Sequence, residues 1–353
     1  MNALRAKAEA HPAADAARTD GRSRSAVEHL TIGAQNDGQR LDNFLMARFR
    51  GLPKSLIYRI IRTGQVRVNG GRCRAEQKIS AGDDVRLPPM ETGAGHEVRR
   101  GPATAARGFA DNELSVLYED DALIAFDKPA GLAVHGGSGV KAGLIERLRA
   151  SRPDAPFLEL VHRLDRDTSG VLLVARQRTA LLALHRTLAA GQAQKHYRAI
   201  VKGYWGRTGS SLLQYPLERY VAGDGERRVR VQADGQAAAT RIRLIRHLPS
   251  RGIAGLPPAL SLLDCELLTG RTHQIRVHLA QAGFPLLGDQ KYGDFTLNKL
   301  LEKKYSKRMF LHAFSLSFPH PSAGTAMRIE SPVPVAFDQL EDAVTIESAR
   351  STG

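Results

Sequence analysis

The chain has 353 residues, enough for two domains, and its formal net charge is +15, from 51 Lys and Arg against 36 Asp and Glu. Such a surplus favours a polyanionic partner, with nucleic acid first. No apolar run approaches 18 residues, and the two cysteines, Cys73 and Cys265, form no metal-spaced cluster. We therefore expect a cytoplasmic protein without a membrane span, a disulfide framework or a cysteine-based metal site.

The first 90 residues divide into a tail and a small module. Residues 1–29 are rich in alanine and charge and lack apolar periodicity, which predicts a disordered tail. In residues 30–90, the segments RLDNFLMARFR and KSLIYRIIR carry apolar side chains at helical spacing and predict two helices. The segments QVRVNGG and DDVRLP predict short strands, the first ending in an Asn-Gly turn.

Basic residues crowd this module. Ten lie between Arg40 and Lys78, and only Asp42 and Glu76 oppose them, which is typical of a phosphate-binding surface. The pattern R-L-D-x-F-L, then a helix, then G-x-V-x-V-N-G resembles the S4 RNA-binding domain. The alternative is a basic helix pair with no ligand. The side chains that we expect to contact RNA are Arg40, Lys54, Arg59, Arg62 and Arg67.

A linker and a larger domain follow. Residues 91–112 are rich in Gly, Ala and Arg, which predicts a flexible linker. Residues 113–345 form the second predicted domain, with helices over 141–152 and 178–190, a loop entering a helix in TGRTHQIRVHLAQAG, and strands in most of the remainder, including 308–335. Mostly antiparallel strands with a few helices indicate an α+β fold.

The segment LVHRLDRDTSGVLLVAR is the strongest functional signal in this domain. Two apolar runs predict buried strands, and the charged residues between them fall on the connecting loop. Charges beside a core cost free energy unless they are paired. Asp165 in this loop could be a nucleophile toward carbon. It could equally form an Asp–Arg bridge that only braces the fold, and the pattern alone leaves the two readings level.

Four segments in order, HRLDRDTSG, KHYRAIVKG, LLTGRTHQIRVH and GDQKYGD, resemble the RluA family of pseudouridine synthases. The preceding S4 pattern is similar to the branch that contains RluC and RluD, and the RluC group is the most similar. The resemblance implies the pseudouridine synthase fold, with a mixed, mostly antiparallel sheet behind a small α/β S4 domain. The residues to which it assigns roles are Asp165 as nucleophile, Tyr197 beneath the target base, Arg276 paired with Asp165, Arg163, Arg271 and His273 at the substrate, and His162, Thr168, Ser169 and Gly170 as loop-shaping residues.

The function implied is isomerisation of specific uridines in large-subunit (23S) ribosomal RNA to pseudouridine. Substrate and product are isomers, so we expect no cofactor and no metal, and we expect a monomer. Three alternatives stay open: an RluD-like enzyme, a transfer-RNA pseudouridine synthase of the same family, and a non-enzymatic RNA-binding factor in ribosome assembly. The last of these explains the charge but gives no reason for an anion, Asp165, in an RNA-facing cleft.

Overall fold

The computed structural model describes residues 27–33, 36–49, 52–89, 114–136, 142–207, 209–223, 225–250 and 253–351. The chain divides into two compact units, Met1–Pro102 and Ala103–Gly353, and each is described by itself. The predicted linker and most of the predicted tail lie outside the described residues. The first strand begins at Glu28, two residues before the predicted start of the small module.

In the first unit, the part of the chain that the structure describes forms six short strands and two helices. In chain order these are β1 Glu28–Thr31, β2 Gln39–Arg40, α1 Leu41–Arg48, α2 Lys54–Arg62, β3 Arg67–Val68, β4 Gly71–Arg72, β5 Lys78–Ile79 and β6 Asp84–Leu87. Strands β1, β6, β3 and β4 form an antiparallel sheet in that order, and β2 pairs with β5. Both predicted helices are present. In α2 the buried residues Ile57, Ile60 and Ile61 follow the i, i+3, i+4 spacing of a core-facing helix.

The described residues of the second unit form twelve strands and five helices. In chain order these are β7 Ser115–Glu119, β8 Leu123–Lys128, α3 Leu144–Ser151, β9 Glu159–Leu160, β10 Ser169–Ala175, α4 Arg178–Ala189, β11 Gln194–Lys202, β12 Ser210–Leu213, β13 Leu217–Val221, β14 Arg227–Val231, β15 Thr240–Pro249, β16 Ala259–Leu267, α5 Gln274–Gln281, α6 Phe295–Lys304, β17 Leu311–Pro319, β18 Ala326–Glu330 and α7 Val335–Ser351. The predicted α+β class is confirmed.

One large sheet organises this unit. Its main path runs β12-β15-β16-β11-β17-β10-β8-β7, with β18 attached to β17 and β9 to β10, and β13 and β14 pair apart from it. All of its pairings are antiparallel except that of β10 with β17. The predicted mostly antiparallel sheet is therefore confirmed. Because β11 is central, it holds its side chains at fixed positions across the middle of the unit.

Strand β10 explains why the apolar run SGVLLVA predicted a core strand. All seven of its residues are buried. Leu172 and Val174 pack into one hydrophobic cluster, and Val171 and Leu173 pack into another on the opposite face. A strand covered on both faces needs a continuous apolar sequence instead of an alternating one. The loop before β10 is therefore attached to a strand that is buried on both faces.

Helices α6 and α7 were not predicted. The sequence indicated strands over 308–335, which fits β17 and β18, but α7 then follows as a 17-residue helix. Its residues Phe337, Leu340 and Val344 pack against a hydrophobic cluster that also contains Ile200 of β11. Within the described residues, no helix is long and apolar enough to cross a membrane.

Candidate active site

The charged loop lies between β9 and β10, and a buried lysine fixes its backbone. Lys128 at the end of β8 is fully buried, and its Nζ donates to the carbonyl oxygens of Pro129 and Leu132 at 2.8 and 2.9 Å. A third bond, 3.0 Å long, reaches the carbonyl oxygen of Arg166. Burial lowers the pKa of Lys128 to about 7. Since Arg166 directly follows Asp165, the third bond holds the backbone that carries the Asp165 side chain.

Residues that the resemblance assigned to loop shape lie at backbone contacts. The Nε2 atom of His162 accepts a hydrogen bond from the backbone N–H of Leu173 at 3.2 Å, and burial lowers the pKa of His162 to about 4. Gly170 has a φ of +112°, and a Cβ there would lie 2.2 Å from the carbonyl oxygen of Ala313. Only glycine permits this approach of β10 to β17. These contacts set the entry of the loop into the sheet.

A directed chain of hydrogen bonds supports the far end of the loop. Arg308 Nη2 donates to Ser169 Oγ at 2.9 Å, and Ser169 Oγ lies 2.9 Å from Nδ1 of His312. The other ring nitrogen of His312 lies 3.3 Å from the carbonyl oxygen of Ser331, which can only accept. His312 therefore carries its proton on Nε2, and Nδ1 accepts from Ser169. Burial lowers the pKa of His312 to about 4, which keeps the ring neutral.

Arg276 connects two carboxylates. It lies in the first turns of α5 and is only 4% exposed. Its Nε and Nη2 donate to the two oxygens of Asp289, both at 2.7 Å, and its Nη1 donates to Oδ2 of Asp165 at 3.1 Å. Burial acts to lower the pKa of Arg276, but the bonds and charges of Asp289 and Asp165 outweigh it and raise the pKa. Within the described residues, Oδ1 of Asp165 has no hydrogen-bond partner, so one oxygen is held and the other is available.

Asp289 was missed by the sequence interpretation. It is fully buried, and besides the Arg276 bonds its Oδ1 accepts from the backbone N–H groups of Lys291 and Tyr292 at 2.8 and 3.1 Å. Burial acts to raise the pKa of Asp289, but Arg276 and these backbone donors outweigh it and lower the pKa. It lies in the GDQKYGD segment, which contributed to the resemblance without a role for any single residue.

His273 approaches the same oxygen of Asp165. It precedes α5 with a φ of +53°, a left-handed conformation that costs a non-glycine residue about 1 kcal/mol or more. Its Nδ1 lies 2.8 Å from the hydroxyl of Tyr292, which also accepts from the backbone N–H of Val229 at 2.9 Å. With no other acceptor near that hydroxyl in the described residues, its proton points to Nδ1. The ring proton of His273 is then on Nε2, 3.8 Å from Oδ2 of Asp165.

Tyr197 comes from the central strand β11. It is 8% exposed, and burial together with the nearby charge of Asp165 raises the pKa of its phenol. The phenol is therefore protonated at neutral pH. Its position on the strand fixes the ring relative to Asp165, because β11 pairs with β16 on one side and β17 on the other.

A cavity of about 480 Å³ brings the predicted site residues together. Its lining includes all six catalytic or substrate-binding residues named from the sequence, namely Asp165, Tyr197, Arg276, Arg163, Arg271 and His273. Asp165 is the one carboxylate in this lining. Three further basic residues that the sequence interpretation passed over also line it, namely Lys195, His185 and Arg219. An anionic substrate is the ligand that such a cavity favours.

The five basic residues predicted to contact RNA lie in the first unit and differ in their surroundings. Arg40 donates to Asp42 at 2.6 Å and lies 3.7 Å from Glu76, so part of its charge is balanced. The other four, Lys54, Arg59, Arg62 and Arg67, have no carboxylate within ion-pair distance among the described residues. Arg67 on β3 lies directly opposite Arg72 on β4 and Arg86 on β6. Like charges placed opposite each other repel, which an anionic ligand would relieve.

No group of three or more His, Cys, Asp or Glu side chains in the described parts of the chain is arranged to hold a metal ion.

Comparison with known families finds two matches in this chain. The S4 domain family matches residues 39–85, which include most of the described residues of the first unit. The family described as RNA pseudouridylate synthase matches residues 122–281, which include the charged loop, Tyr197 and Arg276. The fold agrees with that of a solved structure, human RNA Pseudouridylate Synthase Domain Containing 1. The TM-score is 0.53 at 22% identity, covering 67% of this chain and 97% of that one.

Curated relatives match across both units. The protein named ribosomal large subunit pseudouridine synthase C from Yersinia pestis is 46% identical over 308 residues, which are 87% of this chain and 92% of that protein. The protein of the same name from Escherichia coli strain K12 is 46% identical over 310 residues, with 87% and 93% coverage. At this identity and coverage, the chain belongs to the RNA pseudouridylate synthase family.

Proposed function

We propose that this enzyme converts specific uridines of large-subunit (23S) ribosomal RNA to pseudouridine, as the names of its relatives indicate for those proteins. The reaction breaks the N1–C1′ bond, forms a C5–C1′ bond, and moves one proton from C5 to N1. No atom is gained or lost. The observation that carries the proposal is the cavity with a single carboxylate, Asp165, held through one oxygen by Arg276.

The geometry around that carboxylate supports the roles that the resemblance implies. With Oδ2 held by Arg276, Oδ1 of Asp165 is the oxygen that can approach the substrate as nucleophile. Tyr197, a protonated phenol on the rigid strand β11, offers a ring against which the flipped uracil can stack. Enclosure of the detached uracil in the cavity keeps it near C1′ while it turns, which is a positioning task.

Substrate binding is assigned to the remaining cations. Arg163 and Arg271 border the cavity and are exposed, and both can contact the RNA around the extruded nucleotide. Flipping a base from a helix costs a few kcal/mol, and contacts from guanidinium groups can offset this. His273 is assigned to the substrate side of Asp165. No cofactor is required by the atom balance.

The first unit supplies the second RNA contact in this proposal. Arg59, Arg62 and Lys54 are exposed on α2 or at its start, and Arg67 lies in the arginine row of the sheet. Replacing Arg67 by Gln should lower the log–log salt slope of RNA binding by about one. An unchanged slope would remove Arg67 from the RNA-contacting set.

Free thiols at Cys73 and Cys265 support a reducing, cytoplasmic location.

The experiment is a pseudouridine map of 23S ribosomal RNA from cells that lack the gene. Loss of a few sites is expected, with rescue by the wild-type gene and not by the Asp165→Asn variant. The purified Asp165→Asn protein should bind RNA within about 1–3 kcal/mol of wild type, because it loses at most one contact. If all ribosomal sites persist while transfer-RNA sites disappear, the substrate assignment is wrong. If Asp165→Asn still forms product, the nucleophile assignment is wrong.

A further inference from the structure

Lys195 is a cation inside the cavity for which the sequence gave no role. It lies on β11 two residues before Tyr197, so both side chains point to the same side of the strand. Both line the cavity. Its Nζ is 3.5 Å from the point where a Cβ would stand on Gly270, in the segment that leads to α5. The side chain of Lys195 is thus half-buried and lines the site.

Lys195 has no partner among the described residues: it makes no hydrogen bond, and no carboxylate lies within 4 Å. Three other lysines of this unit, by contrast, have partners. Lys128 donates to three carbonyl oxygens, Lys202 pairs with Asp294 at 2.7 Å, and Lys291 pairs with a glutamate at 2.6 Å. Partial desolvation of an ammonium group costs free energy when no acceptor or counter-charge compensates it. A ligand that supplies the missing negative charge offsets this cost.

The neighbours of Lys195 do not supply that charge. Burial lowers its pKa, and no carboxylate acts in the opposite direction. Asp165, the one carboxylate of the cavity lining, is already bonded to Arg276. His162 is buried and neutral, and the charge of Lys195 adds to the effect of burial on its pKa. The missing partner is therefore an anion that arrives from outside the protein.

We propose that Lys195 binds a backbone phosphate of the RNA directly adjacent to the target uridine. This inference rests on the proposed function, since it takes RNA as the ligand. Phosphate is the one permanently anionic group of RNA, and each extruded nucleotide brings a phosphate on its 5′ side and one on its 3′ side. Because Lys195 and Tyr197 occupy neighbouring positions on one face of β11, a base on Tyr197 places one of these phosphates beside Nζ.

The test is a double-substitution cycle between protein and RNA. The RNA is the shortest 23S fragment that wild type modifies, made with an uncharged methylphosphonate at the 5′ or the 3′ phosphate of the target uridine. The protein variants are Lys195→Met, which removes the charge, Lys195→Arg, which keeps it, and Lys202→Met as a control on the same strand. Both kcat/KM and the dissociation constant of the fragment are measured, with the unfolding midpoint followed by Trp205 fluorescence.

We expect Lys195→Met to lower kcat/KM about 10- to 100-fold on unmodified RNA, as for one lost bond to a charged group. Lys195→Arg should recover most of the loss. One of the two methylphosphonates should lower the kcat/KM of wild type to a similar degree. The same methylphosphonate should lower the kcat/KM of Lys195→Met by less than twofold. Lys202→Met should remain sensitive to that methylphosphonate, as wild type is.

Several results would overturn the inference. Losses that multiply at both phosphates would show that Lys195 acts on something other than the adjacent phosphate, such as a base edge. Wild-type behaviour of Lys195→Met in both assays would show that it binds nothing. If wild type forms no pseudouridine on any RNA, the proposed function fails and this inference fails with it. If wild type modifies the fragment but neither methylphosphonate loses its effect in Lys195→Met, the inference alone fails.

Discussion

Substitution of each of the two carboxylates bound to Arg276 should separate effects on stability from effects on catalysis. Asp289 is fully buried and shares two 2.7 Å bonds with the guanidinium, and it also accepts from two backbone N–H groups. Asp165 has a side chain that is 18% exposed and shares one 3.1 Å bond. Replacement of each by Asn keeps the shape of the side chain and removes one charge beside the same guanidinium. The two variants are therefore matched.

The structure predicts very different costs in free energy of unfolding. In Asp289→Asn the amide NH2 faces one N–H group of Arg276, so one bond is lost and a buried guanidinium loses its closest counter-charge. Breaking a buried pair in this way costs about 3–5 kcal/mol. In Asp165→Asn, Arg276 keeps both bonds to Asp289, and the lost bond is single and partly solvated. That loss should cost about 1 kcal/mol or less.

Tryptophan fluorescence gives a direct assay. Trp205 is the one tryptophan of the chain and is fully buried in the second unit, so its emission reports the unfolding of that unit in urea. Asp165→Asn should keep a near-wild-type midpoint and form no product. Asp289→Asn should show a much lower midpoint and, where still folded, a rate about 100-fold lower, because Arg276 no longer holds Asp165 in place. Equal midpoints for the two variants would refute this division of roles.

Three further changes test the surroundings of the site. Gly170→Ala should lower the free energy of unfolding by about 3 kcal/mol or more, because its Cβ would lie 2.2 Å from a carbonyl oxygen. Gly131→Ala, at a φ of +87° with open space around it, should lower it by about 1 kcal/mol. Similar losses for the two variants in urea unfolding would contradict this. Tyr292→Phe should lower kcat about tenfold with KM nearly unchanged, because Nδ1 of His273 loses its hydrogen-bond donor. The same loss should move the ¹⁵N chemical shifts of the His273 ring. Unchanged shifts would disprove the assignment of the ring proton to Nε2. The pKa of His312 is about 4 in the folded protein and 6.5 in the unfolded chain, so the unfolded chain takes up the proton first as the pH falls. Up to ~3 kcal/mol of the free energy of unfolding should therefore be lost between pH 6.5 and pH 4. A His312→Asn variant with the same pH slope would exclude this histidine as the cause.

The sequence predicted the elements around the candidate site where the signal is local. The apolar runs around the charged loop predicted a loop between two buried strands. Strand β10 is buried as predicted, whereas β9 has only two residues and is half-buried. The S4 pattern and the four motifs predicted the fold class and the family. All six predicted site residues line one cavity although Asp165 and Arg276 are 111 positions apart. Motif resemblance supplied that long-range link, which periodicity cannot.

The sequence interpretation missed Asp289 and Lys195, whose roles depend on tertiary contacts, and helix α6, for which a local sequence pattern was overlooked. Nothing local distinguishes Asp289 from a surface aspartate; its importance comes from the guanidinium that α5 places beside it. The isolation of Lys195 is likewise visible only once its neighbours are in place. Helix α6 is different, because an aspartate cap at Asp294 precedes Leu297 and Leu301, a four-residue spacing that predicts a helix.

The buried Asp289 also accounts for a carboxylate, Asp165, that keeps one oxygen available in a cavity lined by cations. Asp165 repels phosphates, so in a protein that only bound RNA it would weaken the affinity that the surrounding cations provide. A free arginine beside it would cancel its charge by close pairing. Here Arg276 is already neutralised by two short bonds to Asp289, and it gives Asp165 one longer bond to a single oxygen. The arrangement orients Asp165 while leaving its second oxygen available, which is what a nucleophile requires and what a structural ion pair does not.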